Sequence, residues 1–363
     1  MELTDKYFKD LKDKKDMTKR NINFFYLLAN EYKKGGQMTL ANTIISIAQR
    51  MKNCLEFWEW DKYIKNKVLN LKIVSRCKNI FCLNCRTVNI IKAIKNFKPH
   101  FDNMISSGYH PYFMTLTVPN IELKFLPSEI SKMNTAFSKL IRWLEKPFKE
   151  NNKYYGGYKD RLFDVIGAVK VLEVTIQKSD FNFFHVHFHV ILFLKNDRHE
   201  DFIKYRPGGY QYRSSSFINY SDADIFIQIL WKMAYDSKEI SKLKNASSNW
   251  EDNYICDIRP MDGDKGIFEV FKYCFKDMDI KNYEVFKHLY IGLKSKRLRQ
   301  GYGKLYNLKL EDKDFDDDVV EDDIKNYLEF KDEEPETVYN NFNGNTQKDG
   351  DYKKISIFKS SKS

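Results

Sequence analysis

The segment His185-Val186-His187-Phe188-His189-Val190 holds three of the seven histidines of the chain at a spacing of two. In a β-strand, alternate side chains share a face. The three imidazoles would therefore project together while Val186, Phe188 and Val190 turn to the core. Such a face is a ready clamp for a divalent cation. The bland alternative is a polar sheet face whose histidines bond to their neighbours. A cation site also wants a carboxylate. Glu173 lies in the preceding apolar stretch, residues 163–176, and a turn near 177–182 would bring it close to the histidines. On pattern alone it is equally an exposed strand residue.

Two further groups of residues have chemical potential. Glu269 and Tyr273 are four apart, and Lys276 is three further on, so the three share one face of a helix. A tyrosine can act as a covalent nucleophile if its phenolate is stabilised. Its ordinary pKa is about 10, so a metal-polarised phosphate or a nearby cation must help. Glu269 could serve a second nucleophile as general base. With 23 tyrosines in the chain, this group by itself reads as an ordinary amphipathic helix. Cys54, Cys77, Cys82 and Cys85 fall within 32 residues. The pair Cys82-x2-Cys85 is a half-site for tetrahedral zinc. The x4 spacing from Cys77 and the distance to Cys54 are less regular, which leaves scattered reduced thiols as the alternative. Cys256 and Cys274 read as buried apolar thiols.

These residues need elements to position them. Helical spacing runs through residues 1–50 on either side of Gly35-Gly36, and again through 87–107 with Lys92, Lys95 and Lys98 on one face. Strands are predicted over 111–118, 163–176, 183–194 and 253–259. Helices are predicted over 127–146, near 222–236, and over 265–276. The whole reads as an α+β fold: a central antiparallel sheet with flanking helices, plus a helical, Cys-rich N-terminal region. The expected divisions are 1–107, 108–310 and an acidic, mostly disordered tail over 311–363.

The chain has 363 residues with a formal net charge of +11. Hydrophobic residues make up 42%, enough for a real core, so wholesale disorder is excluded. No apolar run approaches the roughly 18 residues of a membrane span, and the first 20 residues lack the apolar core of a signal peptide. The expected compartment is the cytoplasm. Residues 311–363 hold 16 acidic and 8 basic residues, a net of −8, which leaves +19 on residues 1–310. A basic body with an acidic tail points first to a polyanionic partner.

The order of the motifs is more specific than any one of them. Phe113-Met114-Thr115-Leu116-Thr117 comes first, the histidine strand second, and Glu269-x3-Tyr273-x2-Lys276 third. This order resembles the HUH endonucleases, in which two histidines flank one hydrophobic residue. Within them it is similar to the rolling-circle replication initiator (Rep) proteins of small bacterial plasmids, in the subgroup that pairs one tyrosine with a glutamate. The resemblance covers roughly residues 24–306 and includes Leu28-Ala29-Asn30, Cys54-x2-Phe57 and Cys77-x4-Cys82-x2-Cys85-Arg86. Val186 stands where the family usually has proline, and Leu83-Asn84 fills a cysteine pair that often contains one.

The resemblance implies roles residue by residue. It implies the HUH nuclease fold, with His187 and His189 as the metal-binding pair, Tyr273 as the nicking tyrosine and Glu269 as the carboxylate that activates water in termination. Glu173 is the first choice for third ligand and His185 the second. The implied cofactors are Mg²⁺ or Mn²⁺ at the nuclease site and structural Zn²⁺ on the four cysteines. The implied partners are plasmid origin DNA, at a hairpin or single-stranded nick site, and a host helicase and DNA polymerase. No Walker-type phosphate loop is present; Gly301-Tyr302-Gly303-Lys304 is too short. Origin reading is expected from the Cys-rich region, from 196–260 (Tyr210, Tyr212, Arg213, Trp231, Trp250) or from 294–306. The alternatives are an HUH transposase, a relaxase, or a zinc-containing nucleic-acid-binding regulator that does not nick. Relaxases place the tyrosine before the histidines, whereas Tyr273 follows them.

Overall fold

The structure is a computed structural model that describes residues 5–145, 164–177, 181–197, 212–213, 219–240, 254–261, 263–272, 280–308, 334–342 and 352–355. In chain order the first elements are α1 (Asp5–Lys34), α2 (Met38–Lys52), β1 (Phe57–Tyr63), β2 (Val68–Val74), α3 (Leu83–Ser106), β3 (His110–Thr117) and β4 (Ile121–Glu122). Next come α4 (Leu126–Glu145), β5 (Val165–Ile176), β6 (Phe183–Leu194), β7 (Tyr212–Arg213), β8 (Asn219–Tyr220) and α5 (Asp222–Tyr235). The last are β9 (Cys256–Pro260), α6 (Gly263–Lys272), α7 (Tyr283–Leu293), β10 (Arg299–Gly303), β11 (Glu336–Asn341) and β12 (Lys353–Ile355). Two compact units result, Met1–Asn89 with Asp279–Tyr283 and Lys313–Ser363, and Ile90–Met278 with Glu284–Asp312.

In the first unit, Phe8, Leu11, Ile22, Phe25 and Leu28 form the buried stripe of α1, and Ile44, Ile47, Ala48 and Met51 that of α2. Gly36, with φ at 75°, takes the left-handed turn that separates the two helices. A four-stranded sheet of order β11-β1-β2-β12 supplies the rest of the core. Trp58 and Trp60 on β1 are fully buried and stacked at 5.7 Å, with Phe8 of α1 against Trp58 at 5.9 Å. The indole N–H of Trp60 donates to Asn340 on β11 at 2.8 Å. Two features stand beside the expected ones. The N-terminal region contains a β-hairpin as well as helices. The acidic tail supplies two strands, β11 antiparallel to β1 and β12 parallel to β2.

The second unit is built on a sheet of order β10-β5-β6-β3-β9, antiparallel throughout, with β4 also paired to β6. The alternating pattern of β6 sets its two faces. Val186, Phe188 and Val190 are fully buried on one. They pack under α4 and α5: Phe137 meets Phe188 edge-on at 5.5 Å, and Trp231 lies 6.3 Å from Phe188. Trp231, a candidate for reading DNA, is instead a core residue whose indole N–H donates to the Thr117 carbonyl at 2.7 Å. Tyr210 and Trp250 lie outside the described residues.

One carboxylate both starts α5 and closes the edge of this sheet. The Ser221 backbone N–H donates to Asp224 Oδ2 at 2.8 Å, and the Asp224 N–H donates back to Ser221 Oγ, a capping box. The other oxygen, Asp224 Oδ1, accepts from the outward-facing N–H of Ile258 on β9. Gln228, one turn later, donates to the Cys256 carbonyl at 3.2 Å. The edge strand is thereby satisfied by side chains where no further strand pairs with it among the described residues. At the opposite edge, the glycine-containing segment too short for a phosphate loop is strand β10. A Cβ at Gly301 would fall 1.8 Å from the Leu305 carbonyl oxygen.

Candidate active site

The register of the central strands assembles the histidine face. Glu173 on β5 lies opposite His187 on β6, and Thr117 on β3 opposes the same histidine from the other side. The next row contains Val171, His189, Thr115 and Asp257; the row beyond it contains Val169, Ile191, Phe113 and Arg259. Cross-strand partners share a face, so the strand order alone brings these groups together.

Glu173 Oε2 lies 2.5 Å from His187 Nε2 and 2.6 Å from His189 Nε2. The ligand atoms of these three residues all fall within 4.8 Å of one another, so the group could bind a metal. The side chains are 3%, 10% and 8% exposed for Glu173, His187 and His189, which leaves a narrow approach from solvent to the two imidazoles. The donor set of two imidazole nitrogens and one carboxylate oxygen suits a hard or borderline divalent cation. His187 Nδ1 is buried with no hydrogen-bond partner among the described residues, while Thr115 Oγ1 lies 3.4 Å from His189 Nδ1.

Electrostatics favour an ionised Glu173 and an uncharged His189. Burial alone would push the Glu173 carboxyl up, but hydrogen bonds from His187 and His189 outweigh it and hold the group at about 2. Burial pushes His189 below the ordinary histidine value despite its contact with Glu173. Metal binding needs the carboxylate ionised and the Nε2 lone pairs free, so a cation would displace the protons that these contacts share. His185 sits beside His187 with ring centroids 5.0 Å apart but falls outside the three-residue group.

Helix α6 packs against β6 on this face and carries Glu269. Glu269 Oε1 accepts from Arg259 Nη2 at 2.6 Å, and its charge is felt at His189. The guanidinium of Arg259 also sits 4.8 Å above the ring of Phe113, which stacks on the His189 ring at 5.5 Å. Tyr273 and Lys276 lie outside the described residues. Sequence reasoning misses Arg259. Its strand is predicted, and alternation with Asp257 marks its face, but only the β3–β9 register places that face beside the histidines.

The cysteines form a second group. Cys54 follows α2, Cys77 follows β2, and Cys82 and Cys85 stand at the start of α3. Sγ–Sγ separations are 3.5 Å for Cys54–Cys85, 3.5 Å for Cys77–Cys85 and 3.7 Å for Cys82–Cys54. A tetrahedron with Zn–S bonds of about 2.3 Å has edges of about 3.8 Å, so the group could bind structural zinc. Hydrogen bonds from Cys54, Cys77 and Cys85 push Cys82 well down, whereas Cys77 and Cys85 are pushed well up by their sulfur neighbours. Without a cation, one thiolate suppresses the next. Polar groups of α1 hold the loop. Asn21 donates to the Phe81 carbonyl at 2.9 Å, Thr18 Oγ1 accepts from the Leu83 N–H at 3.2 Å, and Asn84 donates to the Leu11 carbonyl at 3.0 Å.

No helix among the described residues is long and apolar enough to cross a membrane. No match emerges from the curated proteins or from the solved structures. The model of one family, described as "Replication protein", matches residues 68–352. That span takes in β2 and β11 of the first sheet, the α3 cysteines, the histidine face and Glu269, so the chain belongs to the Rep_1 family of replication proteins.

Proposed function

We propose that the protein initiates rolling-circle replication of a plasmid by nicking one strand of its origin. The reading is carried by the convergence of His187, His189 and Glu173 on one point of the central sheet, with Glu269 on the adjacent helix. The replication-protein family gives that geometry its setting. His187, His189 and Glu173 would hold Mg²⁺ or Mn²⁺, which when bound polarises a phosphate oxygen at the scissile position. Cys54, Cys77, Cys82 and Cys85 would hold zinc as a structural element of the first unit.

The chemistry assigned to the chain is a transesterification. The Tyr273 phenolate oxygen attacks phosphorus; the P–O bond to the 3′ oxygen breaks and a P–O bond to tyrosine forms. The leaving oxygen takes up a proton and becomes the free 3′-OH that a polymerase extends. One phosphodiester replaces another, so no nucleotide is consumed. After one round, Glu269 takes a proton from a water that attacks phosphorus at the regenerated site, and the P–O bond to the 3′ oxygen breaks. The freed 3′-OH attacks the tyrosyl phosphate, forming the closed strand and releasing Tyr273, so a single tyrosine suffices. Unwinding falls to a host helicase, because the chain has no phosphate loop of its own.

The test is a supercoiled plasmid carrying its own origin, incubated with the protein and Mn²⁺. The expected product is an open circle, lost with chelator. An origin that remains supercoiled, and whose isolated single strand also remains uncut, would overturn the reading.

A further inference from the structure

Arg259 links the two halves of the histidine face, and no part of the reaction described above uses it. It stands on edge strand β9, two strands from β6, yet its guanidinium reaches Glu269 on α6 at 2.6 Å. The same group sits 4.8 Å from the centre of the Phe113 ring, and Phe113 lies nearly parallel to His189, with 15° between the rings. A continuous stack thus runs from a metal-binding imidazole through an aromatic ring and a guanidinium to the Glu269 carboxylate. A planar fork with several donors suits this geometry, because it can rest on a ring and still direct an N–H at a carboxylate.

From these contacts we propose that Arg259 is a positioning residue that fixes Glu269 beside the His187–His189–Glu173 group for the release step. Glu269 is 34% exposed on α6, and Arg259 reaches its carboxylate from outside that helix. Arg259, itself 47% exposed, makes a pair that adds little to folding. The value of the contact is therefore geometric. A carboxylate displaced by about 1 Å from a water-directing position loses on the order of a hundredfold in rate. The proposal rests on the assignment of Glu269 to release.

The experiment measures two rates on origin single strand with Mn²⁺: formation of the protein–DNA adduct, and release of product from it. Arg259→Ala is expected to lower release at least tenfold more than adduct formation, with an unchanged melting temperature. Arg259→Lys keeps the charge without the fork and is expected to fall between the alanine variant and the parent. Millimolar guanidinium ion should restore release to Arg259→Ala and leave Glu269→Ala unrestored. Release at the parental rate in Arg259→Ala would overturn the proposal. An equal loss of both rates together with origin affinity would also overturn it, and would make Arg259 a DNA contact. Parental release in Glu269→Ala would instead overturn the role of Glu269 itself, a failure visible without touching Arg259.

Discussion

The two candidate metal centres are opposites in construction. The cysteine centre draws four sulfurs from three separated segments, with Cys54, Cys82 and Cys85 buried, and it is tied to α1 by side-chain bonds to backbone. Four thiolates complete a tetrahedron and leave no position for substrate. The histidine centre takes three ligands from two neighbouring strands of one sheet, and its donor set leaves positions open. Loops need a cation to hold them together. A strand pair already fixes its side chains by register. The contrast predicts that removing metal destroys structure at one centre and only activity at the other.

The largest effect should come from the cysteines. A structural zinc site contributes on the order of 10 kcal/mol to local folding. Cys82→Ser, or exhaustive chelation, is expected to unfold the first unit, seen as lost protection from proteolysis within residues 5–89. Retained protection with one equivalent of zinc gone would break the comparison. Next is the pair His187→Ala with His189→Ala. It is expected to lower nicking by about three orders of magnitude, on the scale of removing a metal-supplied stabilisation. Bound zinc and the thermal transition should stay near those of the parent.

A third prediction separates buried groups that could hold a metal from one that has no such neighbours among the described residues. Lys170 lies on the face of β5 opposite Glu173, fully buried, with its ammonium 5.2, 4.6 and 5.5 Å from the rings of Phe137, Phe188 and Tyr302. It also donates to Asn134 Oδ1. Burial pushes its pKa down to about 7, and the three rings recover part of that cost. An unfolded lysine titrates near 10.4, so between about pH 7 and 10.4 the unfolded chain binds more protons and stability rises with pH. Below about pH 7 the full cost of burying the charge is present. A tenfold change in proton affinity corresponds to roughly 1.4 kcal/mol. Lys170→Met is therefore expected to stabilise the second unit at pH 7 by about 2–4 kcal/mol and to flatten the rise with pH. Denaturant melts at pH 7 and pH 9.5 measure both; equal stability of variant and parent at pH 7 would contradict it.

The smallest expected effect is at Thr115. Thr115→Val removes the partner of His189 Nδ1 and should weaken Mn²⁺ binding by about tenfold, the lower end for an outer partner of a metal-binding histidine. Calorimetric titration with Mn²⁺ would show it, and zinc content should not change.

The histidine face is legible in the sequence because a strand's period of two is rigid. Alternation of His185, His187 and His189 with Val186, Phe188 and Val190 sets the faces, and a short turn sets which residue of β5 meets His187. The elements that escape depend on distant partners. β1 and β2 carry Lys62 and Lys72 among their apolar residues, and a register shift at Glu59/Trp60 blurs their alternation. β11 reads ETVYNN, with no apolar stripe of its own; it is a strand because β1 offers it an edge. Trp231 lies in the apolar run of residues 225–235, almost all of it buried, so it belongs to the core of α5 although the longer stretch 196–260 is mixed polar and aromatic. Arg259 and Glu269 are ten residues apart, and their pairing follows from β9 entering the sheet beside β3.

The central claim is that this sheet carries a metal-dependent nicking site served by Tyr273. Its most direct test is to nick origin single strand in Mn²⁺, denature, digest the adduct and identify the nucleotide-bearing peptide by mass. The account predicts that the label lies on Tyr273, that Tyr273→Phe yields no adduct, and that His187→Ala with His189→Ala yields none either. An adduct that persists in Tyr273→Phe, or that forms undiminished in chelator, would contradict it.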